Sequence, residues 1–402
     1  MDDYRKYENE MLGGAAPSDV QQRIEDMNVG WRNYLTQAMG MDTNTFQVAQ
    51  GTLGLQTSDS SGLFRMANGV PPYSSVAMYD ASANSTRFDS YGNFLNALLP
   101  TTSSGMQKAL GPKYASWVAF KQANYTKFTS VKKMFDSFAM GNLDATQTKA
   151  GHQVLKQTEN DMLSKAIDAY MDPENQTAFV DDTGKSYTLP SFSGTITNAT
   201  TAINSGASVS IDFSTNSMDT SSSSTTINGG ASGFYDIFWG GAGGSYTALD
   251  SKAVGAAFSV KGRIGQYATL PTEPQGWYNG SEVTRGYNSK NDYNVWDPNS
   301  NSGSWNTFFN ENTGTLARRV SQLLLVTDVD ITVTSHASYS QSDLTTIKSQ
   351  ASFGIWPFFF ASASAKHTSS YTLNADGSLS YTYKLDKGKI EVWGVNVQPA
   401  PQ

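Results

Sequence analysis

Three histidines and no cysteine narrow the chemistry of this 402-residue chain before any fold is considered. His152, His336 and His367 are the only side chains whose ordinary titration lies near neutrality, so a proton relay or an imidazole metal site must use one of them. A base or a ligand set also needs partners that converge on it. His336 ends the strongest strand pattern and His367 follows a Phe-rich run, so pairing of their strands would bring two imidazoles together, with Asp328 or Asp330 as a carboxylate partner. Nothing in the spacing requires that meeting, and solvated strand ends are the plainer expectation. The missing cysteines remove a thiol nucleophile, a zinc-thiolate site, an iron-sulfur site and a disulfide scaffold together.

One stretch places oxygen ligands at alternate positions as a calcium loop does: Asp297-Pro-Asn299-Ser-Asn301-Ser-Gly303. Its glycine arrives one residue late, and its twelfth position is Phe308 where a bidentate carboxylate is needed. Side-chain to backbone bonding in an Asx-rich turn explains the same residues, so neither calcium nor another cofactor is expected. The chain has no Gly-x-Ser-x-Gly elbow, no phosphate loop and no dinucleotide fingerprint. With no catalytic residue to nominate, the expectation is a protein that is not an enzyme.

Other residues are suited to contact rather than reaction. From Ser186 to Leu249 the only charges are Asp212, Asp219 and Asp236, in a background of Ser, Thr, Gly and Asn. Such a tract is a linker, a set of half-buried strands, or a segment that meets something outside the monomer. Ala207 to Ser214 alternates as a bilayer-facing strand would, whereas Asp219 to Thr226 is nearly all Ser and Thr and offers lipid little. Two aromatic runs, Phe234-Tyr235-Asp-Ile-Phe238-Trp239 and Phe353-Gly-Ile-Trp356-Pro-Phe358-Phe359-Phe360, are candidates for membrane or partner contact. The plainer alternative for the second run is a core segment with Pro357 at a bulge or strand edge.

The elements that must position these residues change character along the chain. Ser18 and Gln21 have capping-box spacing, and Val20, Ile24, Met27, Trp31, Leu35 and Met39 stripe one helical face. A looser stretch runs from Gly51 to Ala83, broken by Pro71-Pro72. Phe88, Phe94, Leu95 and Leu98 then suit one helix, Trp117, Phe120 and Tyr125 a second, and Val131, Met134, Phe135 and Phe138 a third. Asp144 is a candidate N-cap for a long helix that carries Val154, Leu155, Met162, Ile167 and Met171 and stops at Pro173.

Past residue 184 the period becomes two. Val209, Ile211 and Phe213 alternate with polar residues, as do Val254, Ala256, Phe258 and Val260. In Leu323 to Val333 every odd residue but Thr327 is apolar, which predicts one buried face opposite Asp328, Asp330, Thr332 and Thr334. Tyr371 to Leu373 and Leu379 to Tyr383 flank a hairpin loop at Asn374 to Gly377, and Lys389 to Val397 reads as a last strand. The loop from Pro271 to Gly303 should be packed, because it carries Trp277, Tyr287, Tyr293 and Trp296. The expected fold is α+β, with a helical bundle-like domain at 1–183 and a mostly antiparallel β domain at 184–402.

Within the β part, the succession Leu323-Leu-Leu-Val-Thr, Asp330-Ile-Thr-Val-Thr-Ser, Ser342-Asp-Leu-Thr-Thr-Ile-Lys, Gly354-Ile-Trp-Pro-Phe-Phe and Val392-Trp-Gly-Val-Asn-Val-Gln-Pro resembles a family of uncharacterised bacterial and fungal proteins. The resemblance covers about the last eighty residues clearly and the helical part only in outline, and it implies a recurring module. It carries over no functional residue.

A net charge of -7 argues against a nucleic-acid partner, since phosphate binding needs clustered Lys and Arg. Lys132-Lys133 and Arg318-Arg319 are isolated pairs, read as solvated helix edges. The charged N-terminus lacks an apolar h-region, so residence in the cytoplasm on synthesis is expected, with any release independent of a signal peptide. The longest apolar run, Ile355 to Ala361, falls short of the ~18 residues of a spanning helix. Together these observations favour a self-associating, membrane-engaging protein of the soluble pore-forming type. Self-assembly through paired β faces is the alternative. Carbohydrate binding through Trp277, Tyr287, Tyr293 and Trp296 is a third.

Overall fold

The computed structural model describes residues 18–49, 57–80, 86–100, 104–124, 127–158, 161–181, 183–221, 248–298, 300–350, 354–359 and 368–400. In chain order the elements are α1 (Ser18–Met39), β1 (Phe46–Val48), α2 (Ser60–Asn68), α3 (Arg87–Ala97), α4 (Ser104–Leu110), α5 (Tyr114–Asn124), α6 (Val131–Asn142), α7 (Ala145–Thr158), α8 (Met162–Met171), β2 (Gln176–Val180), β3 (Ser186–Pro190), α9 (Ile196–Asn204), β4 (Ala207–Ser214), α10 (Ala248–Val254), β5 (Phe258–Pro271), α11 (Gly280–Asn288), α12 (Trp305–Phe309), β6 (Arg318–Ser335), α13 (Gln341–Gln350), β7 (Gly354–Ile355), β8 (Phe358–Phe359), β9 (Thr368–Leu373), β10 (Leu379–Leu385) and β11 (Glu391–Pro399). The fold is α+β, helices mainly first and an antiparallel sheet after.

Local chemistry sets the helix ends. The Thr86, Ser130 and Asp161 side chains accept backbone N–H groups at the starts of α3, α6 and α8. Asp144 does cap a helix, its Oδ1 accepting the Gln147 N–H at 2.7 Å, but the long helix expected from there to Met171 is two helices. Asp161 starts the second by accepting the Leu163 N–H at 2.9 Å, a local bond that competes with helix continuation. The stretch expected to be loose contains α2, capped by Asp59 and burying Leu63, Phe64, Met66 and Ala67. Val254 ends α10, so the strand expected from that residue begins at Phe258. Tyr125 and the side chains of Ser18, Val20 and Gln21 lie outside the described residues.

The sheet is organised by β6. One edge of β6 pairs with β5 from Gln322 to Ser335. Its other edge pairs with β11 from Arg318 to Val326, then with β10 from Val329 to Ser335, so the sheet forks at Thr327–Asp328. Beyond these, β1 joins β11, β9 joins β10 and β4 joins β5, all antiparallel. Thr327 closes the fork: it is 1% exposed, and its hydroxyl donates to the Asp386 carbonyl at 3.3 Å and accepts the Gly388 N–H at 2.9 Å.

The fork corrects the expected face of β6. Asp328 has φ +54°, and this left-handed residue inverts the alternation. Before it, Leu323 and Leu325 join the core packed by α2 to α8, while Leu324 and Val326 join a second core; after it, Val329, Ile331 and Val333 belong to the second core. β5 inverts at the same level, with Ile264 in the second core and Leu270 in the first. Gly265 stands there because a Cβ would come within 2.0 Å of Asp328 Oδ2. Arg318 and Arg319 open β6 rather than edge a helix: Arg318 covers the Tyr73 ring, and Arg319 pairs with Glu273 at 2.7 Å.

Both cores draw on both halves of the chain. The α1 stripe (Ile24, Met27, Trp31, Leu35, Met39) packs with α10, α13 and Ile355, Trp356 and Phe358 in the second core, not with the other N-terminal helices. The change of period near residue 184 therefore marks a change in the kind of element, not a change of core. Of the charge-poor tract, the described part is a hairpin strand (β3), a helix (α9), a sheet strand (β4) and the first two residues of α10, while 222–247 lies outside the described residues.

Candidate functional site

Below the fork, β4, β5, β6, β10 and β9 lie side by side, and their register stacks polar residues into rows across the strands. One row is Ser214, Ser259, Thr334, Ser380 and Thr372; the next is Asp212, Lys261, Thr332, Thr382 and Ser370; the third is Ser210, Arg263, Asp330, Lys384 and Thr368. None of these side chains is buried and none is apolar. Successive positions in a row are about 4.8 Å apart, the strand spacing.

Charge on this face cancels locally. Lys261 pairs with Asp212 at 3.3 Å and Lys384 with Asp330 at 3.0 Å, and Arg263 grips Asp328 through two bonds of 2.9 and 3.1 Å. Such exposed pairs add little stability, so their consequence is neutrality. Hydroxyls also bond along the rows, as Thr334 Oγ1 does with Ser380 Oγ at 3.0 Å.

The opposite face of the same strands is apolar and aromatic. Phe213, Val260, Val333 and Tyr381 form one buried row, with Ile211, Ile331 and Tyr383 beside it. Burial pushes the Tyr381 phenol up to about 12, so it stays neutral, and Tyr383 donates to the buried Glu391 carboxyl. Phe358 lies flat on Tyr383 with 5.2 Å between centroids, and Trp31 of α1 meets Phe213 and Phe358 edge-on at 5.4 and 6.0 Å. Trp356 donates its indole N–H to Asn28 Oδ1 at 2.8 Å, which ties the β7–β8 turn to α1. Helix α1 and this turn thus form one cover over the apolar face.

The same helix closes a sheet edge. On the side of β4 away from β5, the Tyr34 hydroxyl accepts the Asp212 N–H at 2.8 Å and donates to the Ser210 carbonyl at 3.4 Å. Asn33 Nδ2 donates to the Asp219 carbonyl at 2.9 Å, and Met218 packs so closely on α1 that a Cβ at Gly30 would fall 2.7 Å from Met218 Cβ. A cleft of about 140 Å³ remains between α1 and β4, lined by Asn33, Tyr34, Gln37, Asp212, Ser217 and Asp219 among others.

The residues singled out from sequence are dispersed. His152 meets Asp136 at 3.2 Å on neighbouring helices. His336 Nε2 lies 3.1 Å from Ser259 Oγ on the open polar face, outside the cleft lining, while Asp328 and Asp330 are engaged by Arg263 and Lys384. Asp297 is buried and accepts from the Tyr114 hydroxyl at 3.2 Å, and burial lowers the nearby Lys121 ammonium against the pull of Asp297. Among the described residues no group of three His, Cys, Asp or Glu side chains is placed to hold a metal ion. His367, Asn299 and Phe360 lie outside the described residues, as do Phe234, Tyr235, Phe238 and Trp239, and so does the side chain of Phe359.

Trp356 and Phe358 are 2% and 5% exposed, which fits the core reading of that run in this conformation. Trp277 and Trp296 are also buried, whereas Tyr287 and Tyr293 are 42% and 76% exposed, so the four do not form one aromatic platform. Tyr34 was not foreseen. Its signal is an aromatic with a polar tip on the flank of the α1 stripe, between Trp31 and Leu35. No protein-family model matches this chain, and no curated protein or solved structure matches it either.

Proposed function

We propose that this chain is a non-enzymatic, self-associating protein of the soluble pore-forming type, in which the half-sheet below the fork is the working part and α1 is its cover. The observation that carries the reading is the Tyr34 hydroxyl seated on the edge of β4 that pairs with no other strand among the described residues. Uncovered strand edges pair with the next available strand, and here one side chain occupies two of the main-chain groups that would do so. Lifting α1 frees that edge for a second copy and, in the same movement, uncovers Ile211 and Phe213. The strands then have the two-sidedness a bilayer demands, apolar outward and hydroxyl-lined with cancelled charge inward.

Dye-loaded vesicles of phosphatidylcholine and phosphatidylserine test the reading. Leakage, with chain-sized multiples recovered on the vesicles, is the expected result; the absence of both leakage and flotation from acidic to neutral pH overturns it. The alternative, assembly without lipid, draws on the neutrality of the polar face. Ordered filaments or shells in sedimentation and negative stain without vesicles would favour it.

A further inference from the structure

A second surface, formed by α11, the turn after it and α12, is built for a different contact. Tyr287 in the last turn of α11 and Trp305 at the start of α12 stand side by side, with ring centroids 5.8 Å and planes 32° apart. Their mounting is rigid. The Trp305 indole N–H donates to the Tyr287 carbonyl at 2.7 Å, and the Tyr287 ring sits edge-to-face on the buried Phe309 at 5.4 Å. Because the indole N–H is already used, what the pair offers a partner is ring surface. Lys290 Nζ lies 4.2 Å from the Trp305 centroid, a cation held by the ring and free to exchange it for another acceptor.

The surroundings select the kind of partner. Lys290 lies on the Trp305 ring, and Asn288, Asn291, Tyr293 and Asn294, which follow Tyr287 in the chain, are exposed. From 280 to 305 the only Val, Leu, Ile or Met residues are Val283, which is buried, and Val295, which is half-buried. A protein partner needs a broad, fully desolvated centre, and residues 280–305 offer no exposed Val, Leu, Ile or Met side chain toward one. Flat ring faces rimmed by amides and an ammonium suit a ligand whose apolar part is a plane of C–H bonds and whose edge is hydroxyl. We propose that Tyr287 and Trp305, with Lys290 and the neighbouring Asn side chains, form a binding site for a pyranose saccharide. Stacked sugar takes the place of Lys290 on the indole face, and the displaced ammonium donates to its hydroxyls. This site does not rest on the self-association reading, and it differs from the sequence expectation in using Trp305 instead of the buried Trp277 and Trp296.

Saturation-transfer NMR on the full chain with cellohexaose, chitohexaose and mannohexaose tests it, alongside flotation on phosphatidylcholine vesicles with and without glucosylceramide. Free sugar and lipid headgroup are thereby distinguished as sources of the same ring. Binding of at least one probe is expected, weakened about tenfold or more by Tyr287→Ala and kept nearly intact by Tyr287→Phe, which retains the stacking surface. No binding to any probe overturns the proposal, as does equal binding by Tyr287→Ala. A homodimer that Tyr287→Ala dissociates would also overturn it, because the rings would then serve a second copy.

Discussion

Replacing Tyr34 by Phe removes one oxygen and leaves the ring. The ring contacts with Trp31 (5.9 Å, stacked) and Phe213 (5.5 Å, edge-on) survive, so any effect belongs to the hydroxyl. That hydroxyl makes one short bond, to the Asp212 N–H at 2.8 Å, and one long bond, to the Ser210 carbonyl at 3.4 Å. A typical bond contributes about 1 kcal/mol net, and the long one less, so the edge should open roughly five- to tenfold more often. Amide hydrogen exchange resolved by residue is the assay. The Asp212 amide should exchange about five- to tenfold faster in Tyr34→Phe, while Val260 and Val333 in the ladder keep their rates. The variant should also self-associate at lower protein concentration. Unchanged exchange at Asp212 would show that the hydroxyl does not protect the edge.

Three further outcomes follow from the fork and the covers. Thr327→Val leaves the Gly388 N–H and the Asp386 carbonyl without their hydroxyl partner and should cost about 1–3 kcal/mol in urea unfolding, while Thr327→Ser, which keeps the oxygen, should cost less than half of that. Gly265→Ala sets a methyl against Asp328 and should destabilise by about 1–3 kcal/mol; Asp328→Gly in the same chain removes the obstructing carboxylate, suits the left-handed backbone and should restore most of the loss in thermal melts. The Asp343 carboxyl, which joins α13 to α10, is held below its ordinary value first by Lys252 and then by the Ser340 N–H. A lowered folded value stabilises above the unfolded value of ~3.9, and that contribution is lost as pH falls through the folded value. Asp343→Asn should therefore unfold more easily than the parent at neutral pH, with the gap closing in strong acid.

The parts of this fold that were legible in the sequence are those set by a local period or a required backbone state. Trp31 and Leu35 repeat at helical spacing whatever they pack against, and Gly377 takes φ +84° in the hairpin loop where a glycine was called for. What lay beyond reach depends on partners distant in the chain. The apolar odd residues from Leu323 to Val333 read as one face because an Asp in the left-handed region leaves the sequence alternation untouched. The run Leu323-Leu-Leu-Val326 was the available clue, since four consecutive apolar residues suit a strand covered on both sides. Composition alone left Trp356 and Phe358 open between a membrane tip and a core, and Asn28, 328 residues away from Trp356, fixes where the indole points. The polar face is encoded residue by residue in five strands, but only their register assembles it into rows.

The claim that α1 must leave the half-sheet before the protein acts can be tested by fastening it down. Gly30→Cys with Met218→Cys joins α1 to the segment after β4 in a chain that otherwise lacks cysteine, so one disulfide alone can form. The two Cβ positions start 2.7 Å apart, so the segment must yield by about 1 Å to reach disulfide spacing. The oxidised variant should stay monomeric and leave dye-loaded vesicles intact, and dithiothreitol should restore leakage to the level of the unmodified chain. Equal leakage before and after reduction would show that α1 need not leave the half-sheet.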